Sequence, residues 1–119
     1  MLNRTPRPAL TLALCASLAP LPVLAEGAET TLITTRYTCA RGVEVPASYI
    51  NAPDASIVVI HVEGSQITLY NEPAASGARY AWPSDGAGYV WWTKGPEATL
   101  YWKEAGQETP ILEGCVEQG

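Results

Sequence analysis

The sequence predicts an all-β fold, a small eight-stranded antiparallel β-barrel closed by a disulfide between its first and last strands. Past the first 25 residues no segment sustains the periodicity of an amphipathic helix. Short runs of alternating apolar and polar residues recur instead, about ten residues apart, with Gly, Pro, Asn or Asp between them. Two cysteines, Cys39 and Cys115, lie near the two ends of what remains.

Taken in order, the first element is an export signal. Arg4 and Arg7 precede an apolar run from Ala9 to Leu24, which closes on the small-residue pattern Val23-Leu24-Ala25. Pro20 and Pro22 interrupt the run, and it is short for a bilayer span. Cleavage is expected after Ala25, which makes residues 1–25 a signal peptide and residues 26–119 a single β-barrel domain with one modest core. The expected location is the periplasm. The alternative is an outer-membrane lipoprotein attached through Cys15, which the large residue Leu14 before that cysteine argues against.

Eight candidate strands follow: Leu32 to Ala40, Val43 to Ile50, Ala55 to Glu63, Gln66 to Asn71, Arg79 to Trp82, Tyr89 to Lys94, Ala98 to Lys103 and Pro110 to Val116. Alternation assigns their faces. Val58, Ile60 and Val62 point inward and leave His61 outside; Ile67 and Leu69 oppose Gln66, Thr68 and Tyr70; Ala98, Leu100 and Trp102 oppose Thr99, Tyr101 and Lys103. Glu63-Gly64-Ser65-Gln66 reads as a hairpin with a two-residue loop, and Gly95-Pro96 and Ala105-Gly106 as tight turns, so consecutive strands are antiparallel neighbours. Closing eight such strands removes exposed edges and leaves an interior that side chains just fill, with a small sandwich as the other arrangement.

In an exported chain an even pair of cysteines defaults to a disulfide, and Cys39 and Cys115 have no C-x-x-C spacing that would suggest redox activity. Cleavage deletes two basic residues and no acid. Five Lys and Arg then face twelve Asp and Glu, a net charge of about −7 that disfavours nucleic acid as a partner and favours encounter with a basic protein.

The chain offers a single histidine, His61, in mid-strand, and its turn carboxylates Glu97, Glu104 and Glu108 have no apolar enclosure to raise a pKa. No enzyme site, metal site or cofactor is expected. What stands out is a hydroxyl and an ammonium on two successive turns. Ser76-Gly77 ends the loop entered through Pro73, Lys94-Gly95 tops the next hairpin, and Tyr80, Tyr89 and Trp92 flank them. Rigid aromatics beneath a small donor and a cation are what a protein-binding edge requires.

These residues resemble the periplasmic and membrane-bound inhibitors of chicken-type (c-type) lysozyme. The resemblance runs from Tyr37-Thr38-Cys39 through Ser76-Gly77-x-x-Tyr80 and Trp92-x-Lys94-Gly95-x-x-Ala98 to Cys115. It implies an eight-stranded antiparallel barrel and an inhibitor that inserts a loop into the lysozyme cleft. Ser76 would then hydrogen-bond the catalytic carboxyl groups and Lys94 would pair with an acid there. Gly77 and Tyr80 would join the contact, with Trp92 and Gly95 as support. Leu14-Cys15 departs from the lipidated branch of that family, which points to the soluble periplasmic one. The competing function is a small-ligand or structural envelope barrel, with Trp82, Trp91 and Trp92 lining a cavity; pairing of strand edges between two copies into a homodimer is left open.

Overall fold

Strand pairing in the computed structural model follows the order of the chain. The structure describes residues 29–118, so the expected signal peptide and Cys15 lie outside the described residues. The strands are β1 Thr31–Thr38, β2 Glu44–Ala52, β3 Ala55–Val62, β4 Ser65–Glu72, β5 Ala78–Ala81, β6 Gly88–Lys94, β7 Glu97–Glu104 and β8 Gln107–Glu117. Each pairs antiparallel with its neighbours in sequence, and β1 meets β8 to close a barrel. The turns explain the order. Glu63-Gly64 and Ala105-Gly106 each hold both residues at positive φ, the twist that lets a two-residue loop fold one strand back on the last. A short 3-10 turn, Ala40–Gly42, links β1 to β2.

The inward residues are those the alternation selects. Val58 and Ile60 are fully buried, Leu69 and Leu100 nearly so, and His61 is exposed on the outer face. At the centre sits Trp91, fully buried, its Nε1–H donating to Tyr49 Oη at 2.9 Å. Tyr49 and Tyr37 share a further hydrogen bond between their hydroxyls at 2.7 Å, and Tyr37 meets Trp91 edge-on with centroids 5.1 Å apart. Burial raises the pKa of Tyr37, Tyr49 and Tyr80, because a phenolate there would be cut off from water.

These rings occupy the space that a ligand-holding barrel would keep open. Trp82, Trp91 and Trp92 therefore do not line one cavity: Trp91 is core, Trp92 lies half-buried on the outer face, and Trp82 is 52% exposed beyond the end of β5.

Two features of the wall matter below. The β1–β8 seam is joined by two residue pairs, Tyr37 with Glu117 and Thr38 with Val116, and the Cys39–Cys115 disulfide lies directly beside it. Strand β5 is only four residues long and pairs with Tyr70–Glu72 of β4 and Val90–Thr93 of β6.

Candidate functional site

The loop after β4 and the turn after β6 come together because position 77 has no side chain. Gly77 adopts φ +66°, and a Cβ there would lie 2.2 Å from the carbonyl oxygen of Thr93 and 2.8 Å from Lys94 Cγ. Glycine thus lets the Ser76 loop settle onto the end of β6. The contact is fastened on both sides: Ala78 is the register partner of Thr93, whose hydroxyl donates to the Ala78 carbonyl, and Trp92 Nε1–H donates to the Ser76 carbonyl at 2.9 Å.

Trp92 also organises the cation. The Lys94 ammonium stands 4.4 Å from the centre of the indole, a cation–π arrangement that holds a flexible side chain over a fixed surface. Ser76 and Lys94 are both exposed, and among the described residues neither the Ser76 hydroxyl nor the Lys94 ammonium has a hydrogen-bonded or ionic partner. Gly95, at φ +58°, makes the turn that leaves Lys94 at the tip. One indole therefore positions an alcohol-bearing loop and an unpaired amine side by side.

A second cation lies against the same ring and is used differently. The Arg79 guanidinium is 5.1 Å from the Trp92 centroid, its Nε–H donates to Glu72, and its two terminal nitrogens form a fork to Glu108. The Arg79 side chain is only 13% exposed. The hydrogen bonds from Arg79 hold the Glu108 carboxyl below its ordinary pKa, and Glu108 in turn raises that of Arg79. Arg79 is thus committed internally, packs against Trp92, and leaves Lys94 as the available charge at this edge. Sequence reasoning gave Arg79 no role and read Glu108 as a solvated turn residue. Glu108 fell in a turn outside the candidate strands, so no sequence signal joined it to Arg79, 29 positions away.

Of the other residues expected at this edge, Tyr80 is 6% exposed and packs on Tyr49 with centroids 5.6 Å apart. It supports the loop from inside and presents almost no surface to a partner, so the expected contact from Tyr80 is corrected to a core role. Tyr89 lies at the far end of β6, edge-on to Trp102 at 5.0 Å, and does not flank Ser76 or Lys94.

The profile of the family described as membrane-bound lysozyme-inhibitor of c-type lysozyme matches residues 37–109. Curated proteins from Cupriavidus necator and Pseudomonas aeruginosa, both named membrane-bound lysozyme inhibitor of C-type lysozyme, are 38% identical over 81 residues and 40% identical over 84. The alignments take in 67% and 69% of this chain, which spans 62% of the length of each of those relatives. Among solved structures, Pseudomonas aeruginosa MliC in complex with hen egg white lysozyme superimposes with a TM-score of 0.60 at 32% identity, over 87% of this chain and 99% of that one. PliC-St, the periplasmic lysozyme inhibitor of C-type lysozyme from Salmonella typhimurium, gives 0.62 at 26% identity, over 75% and 100%.

Proposed function

Because the chain belongs to the family of membrane-bound lysozyme-inhibitors of c-type lysozyme, we propose that it is a proteinaceous inhibitor of such an enzyme and acts from the edge built on Trp92. The loop carrying Ser76 enters the active-site cleft, and Lys94 follows alongside it. Glycoside hydrolysis of this kind uses one protonated and one ionised carboxyl. A serine hydroxyl donates to the ionised group and accepts from the protonated one, so it complements both without any chemistry. Lys94 pairs with an acid of the cleft. At about 4 Å and an effective dielectric near 20, that pair is worth roughly 4 kcal/mol before desolvation takes back much of it.

The observation that supports this reading best is the shared indole, which fixes Ser76 through its carbonyl and Lys94 through its ammonium. The ordering cost of a binding loop is met before the partner arrives. The acidic surplus of the chain adds electrostatic steering toward a cationic enzyme. Export through the N-terminal signal, as a soluble periplasmic protein, would place the inhibitor where it shields peptidoglycan.

The test mixes the purified protein with hen egg white lysozyme in a cell-wall lysis assay. Unimpaired lysis at micromolar excess of the protein overturns the proposal. Ser76→Ala and Lys94→Ala are each expected to weaken inhibition by about 10-fold or more, since a lost charge-assisted contact costs roughly 1.5–3 kcal/mol. Because both side chains are exposed, the melting temperature should stay unchanged. Loss of stability in both variants would instead make these residues structural.

A further inference from the structure

At the end of β6 opposite Lys94 the barrel wall is incomplete. β5 stops at Ala81, so Ser65–Leu69 of β4 and Gly88–Tyr89 of β6 have no β5 residue paired between them. The stop is local chemistry: Pro83 has no N–H to continue the ladder, and the Ser84 N–H turns back onto the Trp82 carbonyl at 2.7 Å. The result is an open slot lined by Gln66, Thr68, Leu69, Trp82, Tyr89 and Trp102.

The slot is aromatic to an unusual degree for a surface. Trp82 is 52% exposed and meets Tyr70, itself 41% exposed, edge-on with centroids 6.5 Å apart. Tyr89 and Trp102 form a second edge-on pair on the other wall. The lining carries no charge, although the chain as a whole has twelve acidic residues. Its polar groups include the Gln66 amide and the Thr68 hydroxyl, both on exposed residues, and the Tyr89 hydroxyl, while the Trp102 Nε1–H donates to Glu104 at 2.8 Å.

We propose that this slot is a saccharide-binding site, taking an uncharged oligosaccharide of hexose or N-acetylhexosamine units. The C–H face of a pyranose ring is apolar and covers an indole or phenol ring, while its hydroxyls hydrogen-bond outward to Gln66 and Thr68. A charged ligand would be stripped of water here with nothing to pair it. A peptide strand is disfavoured because the two unpaired edges do not match, five residues on β4 against two on β6, so a strand added between them could pair along only two residues of β6. An anionic bilayer is disfavoured because the lining offers no cation.

The experiment titrates the protein, with no lysozyme present, against chitotetraose, cellotetraose and maltotetraose, followed by calorimetry and tryptophan fluorescence. At least one sugar is expected to bind saturably with Kd between about 10 μM and 1 mM. Trp82→Ala should weaken that binding at least 10-fold and Gln66→Ala several-fold, with unchanged melting temperatures because both side chains are exposed. Ser76→Ala should bind sugar like the parent, which separates this site from the inhibitory edge. Absence of binding by all three sugars at about 10 mM, or binding that Trp82→Ala leaves intact, overturns the proposal. So does saturation of the slot by a hydrophobic peptide or by neutral vesicles when the sugars do not compete.

Discussion

A single methyl group at position 77 tests how the edge built on Trp92 is held. Gly77→Ala places a Cβ against the Thr93 carbonyl at a backbone φ that L-residues rarely adopt. The loop must lift off β6, at an expected stability loss of about 1–3 kcal/mol read by chemical denaturation, with inhibition falling further than in Ser76→Ala. Glu108 answers a different question. Its carboxyl pKa is lowered in the fold, chiefly by hydrogen bonds from Arg79. The stability it contributes is therefore complete above the unfolded carboxylate pKa and is lost as pH falls through the lower folded value. Glu108→Gln should cost about 1 kcal/mol or less near neutrality, and the gap to the parent should narrow as pH falls below the unfolded carboxylate range. Denaturation curves at neutral and acidic pH decide it. That the turns carrying Ser76 and Lys94 are exposed and lie together accords with the sequence, where each has a local turn signature. The fork from Arg79 to Glu108 has no such signature, since 29 positions separate them and only the closed sheet brings them together.

Among the strands, alternation assigned the faces of β3, β4 and β7 because each has one dry face, and Val58, Ile60, Leu69 and Leu100 behave accordingly. It failed at Val90-Trp91, two consecutive residues that are both fully buried. The register supplies the reason. Tyr70, Ala81, Val90 and Tyr101 form one row across four strands, so the small residues Ala81 and Val90 lie between two tyrosines on the outer surface. Pattern reading cannot see such a cover. Where β7 meets β8 the register shifts on either side of Leu100, and Gly114 of β8, at φ +66°, breaks the alternation there, so Leu112 and Cys115 are buried three residues apart. The elements also differ in how firmly they are joined. β7 and β8 share seven residue pairs, whereas β1 and β8 share two. The Cys39–Cys115 bond clamps that weakest junction across a separation of 76 residues. Replacing both cysteines by Ala should lower stability by about 4.5 kcal/mol in the chain-entropy account, measured as a fall in melting temperature that reducing agent reproduces in the parent.

For the molecule as a whole, the interior phenols set an alkaline limit. Tyr37, Tyr49 and Tyr80 have pKa values raised above 10.0, first of all by burial. The fold's preference for their neutral form is fully expressed below that value and is lost as pH climbs through the folded-state values. Unfolding and ionisation of these three tyrosines should therefore coincide above about pH 10, visible as a cooperative rise of phenolate absorbance together with loss of β-sheet circular dichroism. Ionisation well before unfolding would mean that the core admits water. Closure has one more consequence, for survival among proteases. A protease must draw an extended, unpaired stretch of chain into its cleft, and the two-residue turns offer none. The segments 73–77 and 82–87 are long enough, and both fall between Cys39 and Cys115. A cut in either leaves two fragments still stapled together by sulfur and held by the remaining ladders, so the nicked molecule keeps its shape instead of shedding a piece.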